Sequence, residues 1–131
     1  FSSETGLLAY HLLEDDRLCS MGLAWFDGND PFREAAGWLG GRLAAQPNDA
    51  AAGSVPFMRV AGVVVGAYYL ARSAQVARQL LDSGEGDSDF LNDKITVASF
   101  YAEQILPTVA GLVPTITQGA DRFFTIPNDR L

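Results

Sequence analysis

Residues 60–70 form the longest strongly apolar run in the chain, closed on either side by Arg59 and Arg72. A bilayer-spanning helix needs roughly 20 apolar residues, and this run holds only about a dozen. It therefore reads as the buried middle of a core helix. Around it, Phe57, Val60, Ala61, Val64, Tyr68 and Ala71 trace one helical stripe, and Val63, Ala67, Leu70 and Ala74 trace another. A helix that is apolar on more than one face must be flanked by other elements on several sides, so the rest of the chain has to supply them. Gly62 and Gly66 fall on one face and are expected to mark a tight crossing. Beyond Ala71 the pattern turns amphipathic, with Arg72, Gln75, Arg78 and Gln79 outward.

The flanking segments also carry helical period, and no clean apolar/polar alternation occurs. A first helix is expected over residues 3–26, capped by Ser2 or Ser3, with Glu4 suited to the positive end of its dipole. The run Asp27-Gly28-Asn29-Asp30-Pro31 is a strong turn signal. Asp30 can cap a second helix with Pro31 at its first position, running to about Ala45 with Phe32, Leu39 and Leu43 inward. Gly37, Gly40 and Gly41 are costly inside a helix, at about 1 kcal/mol each against Ala, and would allow close approach of a neighbour. The long helix ends near Leu81 and has two possible starts. In one, Asn48 or Asp49 caps it and Pro56 kinks its interior. In the other, Ser54 caps it and Pro56 lies in the first turn.

Residues 82–89 are the clearest loop. Gly84 suits the left-handed position after a helix, and Asp87, Ser88 or Asp89 can cap a helix over residues 89–106, ended or kinked by Pro107. A last helix, interrupted by Gly111 and Pro114, runs toward Phe124, and the tail at 127–130 looks frayed. The expected architecture is all-α: an antiparallel bundle of about four main helices in a single domain, 1–131. Its 131 residues suffice for a core without disulfides or metal, and 48% are hydrophobic.

Charge narrows the partners. The formal net charge is −7, the basic residues are scattered, and an acidic surface repels phosphate backbones. Neither nucleic acid nor an anionic membrane is an expected partner. The one cysteine, Cys19, excludes an internal disulfide. It reads as a small buried hydrophobe, in keeping with a cytoplasmic location. The chain begins at Phe1 and shows no signal-peptide pattern, so it reads as a piece of a longer polypeptide.

Several residue groups were weighed for chemistry. Glu14, Asp15 and Asp16 are consecutive, so a helix points them to different sides and they cannot converge on one ion. Residues 27–30 and 82–89 lack the ligand spacing, glycine and final Glu of a calcium loop. Gly84 and Gly86 make half of a dinucleotide fingerprint but follow a helix rather than a strand. His11, the only histidine, has no second His or Cys to complete a zinc set. Cys19 lies about 12 Å along the same helix from it, too far for a nucleophile–base pair. His11 is expected to pack, with one hydrogen bond, and Glu103 to lie at the surface or in a buried ion pair. Phe57, Tyr68, Tyr69, Phe90, Phe100 and Tyr101 are expected as core or subunit contacts.

The runs Val55-Pro56-Phe57-Met58-Arg59-Val60-Ala61-Gly62 and Gly66-Ala67-Tyr68-Tyr69-Leu70-Ala71-Arg72 carry a family resemblance. Asp89-Phe90-Leu91-Asn92-Asp93-Lys94, the run from Ala98 to Pro107 and Gly119-Ala120-Asp121 extend it. Together they resemble the acetyl-CoA dehydrogenase-like C-terminal domain, the extra helical segment of long bacterial acyl-CoA dehydrogenases. The resemblance covers mainly residues 50–127. It implies a parent flavoenzyme that binds FAD and removes the α and β hydrogens of an acyl-CoA thioester, with the glutamate base and the flavin contacts in upstream domains. No motif here matches either, so no catalytic, cofactor-binding or metal residue is carried over to this chain. The implied partners are the catalytic domains of the parent enzyme within a homo-oligomer. The competing reading is an independent helical module for protein interaction or oligomerisation.

Overall fold

The computed structural model describes residues 18–130 together with Leu7, Leu8, His11, Leu12, Glu14 and Asp15; for Cys19, Ser20, Leu23 and residues 25–29 it describes the backbone alone. Among the described residues the fold is all-α, without strands. Three long helices dominate: α1 (Cys19–Arg42), α2 (Pro47–Ser83) and α3 (Ser88–Phe100). Their short connections at 43–46 and 84–87 set neighbouring helices antiparallel. The chain then continues through a π turn at Tyr101–Ile105, a 3-10 segment at Leu106–Leu112 and the short α4 (Val113–Thr117). Single 3-10 turns at Asp121–Phe124 and Asn128–Arg130 finish it.

The expected boundary between the first two helices is not where the turn residues lie. Helix α1 runs without a break through residues 27–31 and keeps Pro31 in its interior. Proline removes one backbone donor, but Ala24 before it and Phe32, Ala35 and Leu39 after it pack on one core cluster, and Met21 packs on the neighbouring one. Packing on both sides of Pro31 outweighs the local turn preference. The break falls instead at Asp15–Leu18, where the Leu18 amide donates to the Asp15 carbonyl at 2.9 Å. That site has neither Gly nor Pro. There the Asp15 carboxylate accepts from Arg78 Nε at 3.2 Å, a tie to α2. Leu7, Leu8, His11, Leu12 and Glu14 are helical, while the expected caps Ser2, Ser3 and Glu4, and Asp16, lie outside the described residues. The all-α expectation holds, and the described residues show three long helices where about four main ones were expected.

Other expectations meet their physical outcome directly. Gly84 takes the left-handed conformation after α2 (φ 71°). Asp87 caps α3, its carboxylate accepting from the amides of Asp89 and Phe90 at 2.9 and 3.4 Å. Helix α2 begins at Pro47, so Pro56 is interior and Ser54 is not its cap. Neither Asn48 nor Asp49 caps it; the residue before it, Gln46, makes no side-chain capping bond. Ahead of Pro107 the helix widens, and the Leu106 amide reaches back to the Tyr101 carbonyl.

Two core clusters share α2. One joins Val60, Val64 and Ala67 to Ala35 of α1 and to Leu106, Val109 and Ile116 of the C-terminal segment. The other joins Ala71 and Ala74 to Leu8, Leu12, Leu18 and Met21 on one side and to Ala98 and Ala102 on the other. Small residues permit this double packing. A Cβ on Gly53 would stand 2.8 Å from the Ile116 carbonyl oxygen, and one on Gly66 would stand 2.8 Å from the Tyr101 hydroxyl. Tyr101 uses that seat to donate to the Val63 carbonyl at 3.2 Å. Gly62, Gly37, Gly40 and Gly41 are not crossings: a Cβ on any of them would meet nothing within 4 Å.

Candidate functional site

Helix α2 is 37 residues long and contains an 18-residue stretch long and apolar enough to cross a bilayer, yet only 28% of that stretch is buried within the chain. The run read from sequence as a core helix is therefore a core helix on one face only. Its inner face carries Val60, Val64, Ala67, Ala71 and Ala74, all buried. Its outer face carries Val55, Met58, Gly62, Val65, Tyr69, Arg72 and Val76, all exposed. These seven recur at alternating steps of three and four residues, the spacing that keeps an apolar seam facing a partner helix.

The outer face has walls. On one side, Tyr69, Val76 and Leu80 of α2 and Phe90, Leu91 and Lys94 of α3 line an open apolar groove of about 470 Å³. Phe90 is exposed, and Lys94 Nζ stands 5.0 Å from the centre of its ring. On the other side, Leu7, Leu8 and His11 line a smaller recess with Arg72 and Gln75. Val97 and Phe100 extend the exposed apolar surface along α3.

The electrostatics of α2 run against those of the chain. All sixteen acidic residues lie outside residues 50–81, which hold Arg59, Arg72 and Arg78 and no carboxylate. Arg78 is half-buried and bonds Asp15 and Asp82. Among the described residues no carboxylate lies within ion-pair distance of Arg59, beside the apolar stripe, or of Arg72, at its edge. An exposed face with this composition can bind a partner.

The groups weighed for catalysis stay apart. His11 is exposed, with Nδ1 3.6 Å from Glu14 Oε2. Glu14 and Asp15 diverge as geometry requires, Asp15 toward Arg78. The side chain of Cys19 lies outside the described residues, as do those at 27–29. Glu103 is exposed. Gly84 and Gly86 both have positive φ (71° and 83°) and shape the α2–α3 turn. Among the described residues no group of three or more His, Cys, Asp or Glu could hold a metal ion. Of the aromatics, Phe57, Tyr68 and Tyr101 pack against the core, whereas Tyr69, Phe90 and Phe100 are exposed. Burial raises the Tyr101 phenol above its ordinary value of 10.0.

One residue escaped sequence reading. Asp49 Oδ1 accepts from the Ala120 amide at 2.8 Å, across 71 residues, while Oδ2 lies 3.4 Å from Arg42 Nη1. The bond forms because Gly119 turns left-handed (φ 75°) with the carboxylate about 3 Å from where a Cβ would be. Gly119-Ala120-Asp121 was legible as a motif, but its partner was not. The tie fixes the C-terminal turn against the start of α2, and with it the exposed pair Phe123 and Phe124.

A family model described as acetyl-CoA dehydrogenase C-terminal like matches residues 12–127. Among curated proteins, 3-methylmercaptopropionyl-CoA dehydrogenase of Ruegeria pomeroyi is 38% identical over 79 residues, 60% of this chain and 13% of that protein. The chain therefore corresponds to a small part of that relative's length. The helical order, the Gly66–Tyr101 seat and the Gly119 turn place the residues behind the resemblance at packing positions, and with a match over 12–127 the chain belongs to the acetyl-CoA dehydrogenase C-terminal-like family.

Proposed function

We propose that this chain is the non-catalytic C-terminal domain of a cytoplasmic, FAD-dependent acyl-CoA dehydrogenase, and that it packs on the catalytic core or at a subunit interface of a homo-oligomer. The observation that carries the reading is the wide exposed apolar face of α2 in a chain of this family. Exposed apolar stretches of this kind mark interaction surfaces. The relative's name states an acyl-CoA thioester as substrate, and the same substrate class is the natural one for the parent of this chain.

The residues here do not fit a flavin dinucleotide. The two glycines of the α2–α3 turn stand among Asp82, Glu85, Asp87 and Asp89. The helix-start amides that a diphosphate would need are taken by the Asp87 carboxylate. Flavin and base therefore belong to the remainder of the parent polypeptide, and no catalytic step is assigned to this chain.

The test compares this chain with the full-length gene product. The full-length protein is expected to carry flavin absorbance and to oxidise an acyl-CoA in the presence of an electron acceptor, and this chain to do neither. Flavin retained by the purified 131-residue chain would overturn the assignment.

A further inference from the structure

From the heptad spacing and the charge of α2 we infer that its outer face seats one amphipathic α-helix, apolar along its contact seam and acidic along its flanks, supplied by the parent protein outside this chain. The inference rests on the reading above and specifies which face docks and against what. Three independent observations carry it.

The first is period. Val55, Met58, Gly62, Val65, Tyr69, Arg72 and Val76 follow a strict three-four repeat over about six turns of helix, and every one is exposed. A repeat of 3.5 keeps a second helix in register along its length, whereas an isolated straight helix drifts by about 20° per heptad. A flat or irregular partner would not need the spacing held so far.

The second is Gly62. A helix-interior glycine costs about 1 kcal/mol relative to Ala, and no described residue lies within 4 Å of where its Cβ would be. Gly53 and Gly66 have close internal neighbours; Gly62, like Gly37, Gly40 and Gly41 of α1, has none among the described residues, and at the middle of the stripe it leaves room for close approach from outside.

The third is charge. Arg59 beside the stripe and Arg72 at its edge stand in a segment without a carboxylate. A second copy of the chain is disfavoured on this count. An antiparallel pair centred between Val65 and Gly66 sets Arg59 beside Arg72 of the other copy, and a parallel in-register pair sets each arginine beside itself. An acidic-flanked helix complements both. The walls fit such a guest, with the Phe90–Lys94 groove of α3 on one side and Leu7, Leu8 and His11 on the other.

Oxidative footprinting tests this, comparing the 131-residue chain with the full-length protein. Met58 and Tyr69 are exposed by 73% and 66% in this chain, and Phe123 and Phe124 by 71% and 70% at the opposite end. In the full-length protein, labelling of Met58 and Tyr69 is expected to fall at least tenfold while Phe123 and Phe124 label as before. Paired Arg59→Glu and Arg72→Glu changes are expected to restore labelling of Met58 and Tyr69, with flavin content unchanged. Protection at Phe123 and Phe124 instead would sink this inference but leave the docking reading standing. Protection at neither end would sink both. Three further results overturn the inference alone: protection that survives the charge reversals, protection that grows with the concentration of the 131-residue chain, or protection that appears only with phosphatidylglycerol vesicles. They point respectively to a partner without acidic flanks, a second copy and a membrane.

Discussion

The two faces of α2 invert the usual order of side chains. Toward the core it presents mostly Ala and Val, and toward solvent it presents Met58, Tyr69 and three valines, Val55, Val65 and Val76. Apart from Gly62 and Arg72, the outer residues are as apolar as the inner ones and on average larger. The inner face is small because α2 is packed along two clusters at once, and close approach of α1, α3 and the C-terminal segment leaves room for little else. The outer face is under no such limit within this chain. Its large side chains remain solvated at a cost that no contact here offsets. The lesson is that apolar composition alone does not distinguish a face that has been filled from one that awaits filling.

The sharpest way to break the comparison uses adjacent residues. Val64 is 0% exposed and Val65 is 37% exposed. Val64→Asp places an unpaired carboxylate in the core and should cost more than about 4 kcal/mol, enough to unfold a domain of ordinary stability. Val65→Asp should change the stability of this chain by no more than about 0.5 kcal/mol. Urea denaturation of the two variants decides, and equal losses would show that α2 does not have two faces. The glycines give the next largest contrast. Gly53→Ala forces a Cβ against the Ile116 carbonyl and should destabilise by about 1–3 kcal/mol. The same change at Gly62 should stabilise this chain by up to about 1 kcal/mol while weakening the docking of the full-length protein.

Asp49→Ala removes the acceptor for the Ala120 amide and should cost about 1–3 kcal/mol, with proteolysis concentrating after Thr117. Loss of stability without new cleavage near the C-terminus would mean that Asp49 acts through Arg42 instead. The smallest effect is a titration. Folding raises the Tyr101 phenol by desolvation, so the neutral hydroxyl is the form the fold favours. Its contribution is intact below the ordinary value of 10.0 and is lost as pH rises through the higher value in the folded chain. Thermal melts across that alkaline range should show a decline that Tyr101→Phe reduces, and an unchanged slope would place the loss elsewhere.

The sequence was most legible where chemistry is local. The left-handed Gly84 and the connection around it depend on residues within a few positions of one another and were readable, although the loop is 84–87 rather than 82–89 and Asp87 is the cap among the three candidates Asp87, Ser88 and Asp89. The core stripe of α2 was readable for the same reason, since period is a local property. Reading failed where distant groups decide. The turn residues at 27–31 are overridden by packing on both sides of Pro31, and Asp15 is tied to Arg78, 63 residues away. Gly62 and Gly66 look alike in sequence, yet only Gly66 has Tyr101 against it. The exposed stripe was hidden because its residues are as apolar as those of the core, and pattern alone cannot say which of two apolar faces has neighbours.

The π turn at Tyr101–Ile105 has a consequence for how this chain tolerates change. It wedges one extra residue into an otherwise continuous helical path, rotating everything downstream by about 100° relative to a regular screw. That rotation brings Leu106 and Val109, both 0% exposed, into the cluster they share with Val60 and Val64. Deleting one of the five would let the turn close as a regular α turn with Leu106 still in that place, whereas closing it at full length would swing Leu106 and Val109 out. Tyr101, seated on Gly66, and the buried Ala102 are held by identity as well as by count.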